Sequence, residues 1–131
     1  VSCAGRLSSD ILSETNAKIT SYLSLRDNWN GPDTKAPEGP AGSMALKMVD
    51  AYDSFLQNYS VTPASIQVYP LNNGGIALEL ITLSFDLVLQ FLNENRDPNN
   101  IPFFLTNDID IEEEGSISMQ ALDNLFSRLI D

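Results

Sequence analysis

The sequence predicts an α+β fold: two N-terminal helices, an antiparallel meander of four or five strands and a C-terminal helix, with the helices packed on one face of the sheet. Three observations predict it. Ser65 to Leu92 is the only segment with sustained two-residue alternation, which puts each apolar set on one face of a strand. Asn72-Asn73-Gly74-Gly75 interrupts that segment with residues that tolerate the positive φ of hairpin turns. Before it, apolar residues recur at three- and four-residue spacings, the period of an amphipathic helix. With 131 residues and 43% hydrophobic content, residues 1–131 are expected to form a single domain able to bury a core.

Residues 1–7 read as a loose lead-in. From Ser9 to about Arg26, the residues Ile11, Leu12, Thr15, Ile19, Tyr22 and Leu23 share a helical face, with Ser8, Ser9 or Asp10 as N-cap. Asn28 to Gly42 is rich in glycine and proline and reads as an irregular loop. It carries Trp29, the only tryptophan, which either anchors the loop on the core or contacts a partner. Ala45, Met48, Val49, Tyr52, Phe55, Leu56 and Tyr59 form the stripe of a second helix, whose first turn suits Pro40. Met44 and Met48 read as core filling rather than as ligands for a soft metal.

Thr62-Pro63-Ala64 leads into the first strand, and the Asn-Asn-Gly-Gly turn into the second. Leu80 and Phe85 cannot share a face in an unbroken period of two, so Thr82-Leu83-Ser84 is expected to turn the chain into a third strand. Asn93 to Asn100 is a turn by composition, and Pro102 to Thr106 a fourth strand. Asp108-Ile109-Asp110-Ile111-Glu112 alternates acidic residues with isoleucine and predicts an edge strand with a charged outer face, broken by Gly115. Ser116 or Ser118 then caps a last helix with Leu122, Leu125, Phe126 and Leu129 on one side.

Composition narrows the chemistry more than it assigns it. The chain has no histidine and one cysteine, Cys3. That removes Ser–His–Asp and Cys–His catalysis, zinc sites of Cys and His, and an internal disulfide. Cys3 reads as a dispensable terminal thiol, the alternative being the remnant of a lipoprotein signal. Gly74-Gly75 lacks the lysine and following helix of a phosphate loop. An EF-hand reading of the segment from Asp108 fails where Glu113 replaces the needed glycine and Met119 the needed glutamate. No catalytic residue, metal or cofactor is therefore expected. The remaining chemical option is a carboxylate pair, Glu79 and Asp86, on adjacent expected strands.

Charge is unevenly placed. The net charge is −11; residues 1–47 balance five basic against five acidic side chains, whereas residues 48–131 carry two basic and thirteen acidic ones. This field repels nucleic acid and anionic lipid and attracts basic partners. No apolar run is long enough to span a bilayer and no signal peptide is visible, so a cytoplasmic location is expected, without membrane contact.

Trp29-Asn30-Gly31, followed by a second helix and then Gly74-Gly75-Ile76 with Leu78 and Glu79, resembles a family of small uncharacterised bacterial proteins with a W-[DN]-G loop and a GGI-x-LE hairpin strand. Leu80 stands where that family has an aromatic residue, and Pro32 follows the loop. The resemblance covers about half the chain and implies an accessory bacterial protein, carried on mobile DNA; it supplies no activity.

Together these readings favour a non-enzymatic protein-interaction module, an inhibitor or adaptor. It would bind a protein partner, basic in character, through Trp29 and Asn30 or through the acidic edge at Asp108, Asp110 and Glu112. A homodimer through an exposed strand edge is compatible with this. The alternatives are a carboxylate-dependent enzyme or small-ligand binder using Glu79 and Asp86, and an acidic mimic of nucleic acid.

Overall fold

A computed structural model describes residues 9–59, 63–94, 97–107 and 112–129. Helices α1 (Ser9–Tyr22) and α2 (Gly39–Tyr59) precede five strands: β1 (Ser65–Pro70), β2 (Gly75–Ile81), β3 (Phe85–Leu92), β4 (Ile101–Asn107) and β5 (Glu112–Ile117). A short helix, α3 (Leu122–Phe126), closes the chain between single 3₁₀ turns. The strands form one antiparallel sheet in the order β1-β2-β3-β4-β5, the expected meander with five members. The expected lead-in at residues 1–7 lies outside the described residues.

The alternation sorts the side chains as read. Leu78 and Leu80 of β2 face Leu89 and Leu87 of β3, and Leu87 faces Leu105 of β4. All are buried, those of β2 and β3 beneath α2, whose Ala45, Met48, Val49, Tyr52 and Leu56 are buried too. Each such leucine contributes roughly 1.5–3 kcal/mol by leaving water. Phe126 of α3 meets the rings of Tyr52 and Phe55 edge-on, at 5.1 and 5.5 Å, which docks the C-terminal helix onto α2. All helices lie on this side of the sheet, where the core is contiguous.

Both expected turns form. Gly74 and Gly75 have φ of 93° and 141°, and a Cβ on Gly75 would lie 2.5 Å from the Phe91 carbonyl oxygen. Only glycine fits there. The second turn contains neither glycine nor proline. Instead the Thr82 hydroxyl accepts from the amides of Ser84 (3.3 Å) and Phe85 (2.9 Å), a side chain standing in for a turn residue. Leu83 at its tip is 96% exposed.

Four expectations need correction. Helix α1 ends at Tyr22, not near Arg26, because the amides of Leu23, Ser24 and Leu25 bond three residues back and tighten the chain out of the α-helix. Ile11 and Tyr59, assigned to buried faces, are 43% and 58% exposed; each sits near a helix end. Gly115 does not break the edge strand but lies inside β5, opposite Phe103. The Phe103 ring passes 3.4 Å from where a Cβ would be, an ordinary van der Waals contact, so the strand accommodates this position without needing glycine. Ser116 is likewise a strand residue, and Ser118 precedes the 3₁₀ turn without a side-chain cap bond. The Met119 amide is satisfied by the Pro98 carbonyl instead, at 2.7 Å.

Candidate functional site

The side of the sheet away from the helices carries the other phase of every strand. One row across it runs Gln67, Glu79, Val88, Phe104 and Glu114, from β1 to β5. The next row runs Ser65, Ile81, Asp86 and Thr106. Val88 and Ile81 are half-buried, and Phe104 is 38% exposed, a large aromatic with none of the described helices over it. No lysine or arginine occurs in any of the five strands. This face is therefore an apolar strip bordered by carboxylates.

Glu79 and Asp86 lie on neighbouring strands, diagonally placed, since Glu79 faces Val88 and Asp86 faces Ile81. A hydrogen bond to Asp86, partial burial and the repulsion of the second charge together raise the Glu79 carboxyl from its ordinary 4.5 to about 7. Asp86 Oδ1 is shut off from solvent and meets no fixed protein donor. Two carboxyl groups bond only when one of them is protonated, so the raised value belongs to the two groups as a pair that shares one proton. Tyr69, on β1, has its phenol raised by burial first and then by the charges of Glu79 and Asp86.

The Trp29 loop is built differently. The indole Nε1–H donates to the Lys35 carbonyl (2.9 Å), inside the same loop, and Trp29 is half-buried. The Asn30 amide side chain donates to Asn72 Oδ1 in the β1–β2 turn (3.0 Å), and the Lys35 backbone amide to the Asn72 carbonyl (2.7 Å). Asn93 ties the same place from the end of β3, donating to the Ala36 carbonyl and accepting from the Glu38 amide, each at 2.8 Å. Asn28 and Asp33 sit at φ of 67° and 66°, a region their short polar side chains tolerate. Hence the Trp29-Asn30-Gly31 loop and the β1–β2 turn meet in space: the Trp29 indole braces the loop internally, and the Asn30 side chain ties it to Asn72.

Of the expected acidic edge, Asp108 and Asp110 lie outside the described residues, while Glu112 opens β5 opposite Thr106. Glu113 points to the helix side and pairs with Arg128. Among the described residues no three acidic side chains converge as a metal site would require. A groove of about 450 Å³ lies between α1 and β1; neither Glu79 nor Asp86 lines it. Among the described residues no helix is long and apolar enough to cross a membrane.

Val88, Phe104 and Tyr69 escaped the reading of the sequence as site residues. Val88 did carry a signal: it is an apolar residue in the phase of Asp86 and Gln90. Comparison with protein families, curated proteins and solved structures returns no match.

Proposed function

We propose that the protein is a non-enzymatic interaction module that binds a basic protein surface through the open face of its sheet. The observation that carries this is the pairing of an apolar strip that no described element covers, Ile81, Val88 and Phe104, with Glu79, Asp86 and Glu114 on a sheet whose described strands have no basic residue. Apolar contact supplies affinity and the carboxylates select lysine- or arginine-bearing partners. Like charge disfavours a second copy on this face. Trp29 and Asn30 hold the loop in this reading rather than contact the partner.

A carboxylate-dependent enzyme is the second reading, favoured by the proton that Glu79 and Asp86 share near neutrality. It would need walls around the pair, and the pair stands on an open sheet.

Affinity capture with mass spectrometry tests the first reading. The wild-type chain is expected to retain a basic protein, more weakly as salt rises. Phe104→Lys and Glu79→Lys should lose it, and Gln57→Lys, on the exposed side of α2, should keep it. Retention by both sheet-face variants would overturn the reading.

A further inference from the structure

The outer edge of β1 is closed at two places and open at one. The Leu71 amide donates to the Gly75 carbonyl, so the odd-numbered residues of β1 make the ladder bonds to β2. Ile66, Val68 and Pro70 therefore turn their backbone groups outward. The Tyr22 hydroxyl donates to the Val68 carbonyl (3.0 Å), and the Ala64 amide donates to the Tyr52 hydroxyl (2.8 Å). Pro70 has no N–H. Between these closures the N–H and C=O of Ile66 and the N–H of Val68 meet no partner among the described residues, and Ile66 and Val68 line the α1–β1 groove.

Unpaired strand groups inside a groove select one kind of occupant, another extended main chain. The rest of the lining fits it. Ile11, 43% exposed, and Pro63 offer apolar contact to alternate side chains. Glu14 and Lys18 stand four residues apart on the rim, one of each sign, and no ion pair joins them. We propose that this groove binds an extended peptide segment with one acidic and one basic residue, as a short sixth strand beside Ile66. A second copy of the chain fits less well: edge-to-edge contact would bring two α1 rims and two net charges of −11 together. This site is separate from the open face and stands or falls independently of it.

Phage-displayed random short peptides, panned against the whole chain and its variants, test the proposal. Wild type should enrich peptides of alternating apolar residues carrying both charges. Ile66→Pro removes the outward N–H without breaking a ladder bond, and should cut enrichment about tenfold or more, the scale of one or two net hydrogen bonds. The double variant Glu14→Lys/Lys18→Glu should exchange the positions of the two charges in the selected peptides, and decides the matter if Ile66→Pro fails to fold. No enrichment on wild type, equal enrichment on folded Ile66→Pro, or unchanged charge positions with the double variant would each overturn the proposal. So would a concentration-dependent dimer lost with Ile66→Pro, which would give the edge to a second copy.

Discussion

Glu79 and Leu80 are neighbours in one strand, yet they occupy different physical worlds. Leu80 points under α2 and is fully buried among Leu87 and other apolar side chains. Glu79 points the other way, beside Asp86, where none of the described elements covers the sheet and the neighbouring charge raises its carboxyl. The same five strands thus present a packed wall on one side and a partly wet, acidic surface on the other. A face with a cover tolerates only close packing, whereas a face without one is free to carry charge, exposed aromatics and recognition.

Substitutions on the two faces should separate sharply in size. Leu80→Ala leaves a cavity under α2 and is expected to cost about 3 kcal/mol, seen as a lower urea midpoint with unchanged slope. A cost no larger than that of an open-face change would erase the contrast. Next comes Glu79→Gln. The folded carboxyl is raised from 4.5 to about 7, so it binds its proton more tightly than the unfolded chain does. Its contribution is full below the ordinary carboxylate range and is lost as pH rises through about 7. Allowing for solvent screening, the loss is about 1 kcal/mol. Wild-type stability should therefore decline over that window while Glu79→Gln stays flatter; parallel pH profiles would dissolve the shared proton. The smallest effect belongs to Val88→Thr, which keeps the β-branch on the uncovered side and should shift stability by no more than about 0.5 kcal/mol in thermal melts.

Much of this division could be read from residue order. The two-residue period assigned Ile76, Leu78, Leu80, Leu87 and Leu89 to one side, and the phase reset between Leu80 and Phe85 located a turn that carries neither glycine nor proline. Gly115 misled because a glycine in a polar run looks like a break; what keeps it in a strand is its pairing opposite Phe103 of β4, which lies twelve residues away in sequence. Trp29 and Asn30 were ambiguous for a related cause. Asn30 finds its partner Asn72 at a separation of 42 residues, and local pattern says nothing about contacts across such a distance. The proximity of Glu79 and Asp86 was legible from strand adjacency, but the exclusion of solvent from Asp86 Oδ1 was not, because that depends on packing by neighbouring strands.

The strand order has a consequence for how the chain reaches this state. Each strand pairs with the one immediately before or after it in sequence, so every step of sheet growth closes only a short loop. Hairpins joined by the Asn-Asn-Gly-Gly and Thr-Leu-Ser turns nucleate locally and zip outward, a topology associated with rapid assembly among sheet proteins. The landing of α2 on β2 and β3 is then what converts a chain of hairpins into a protein with an inside.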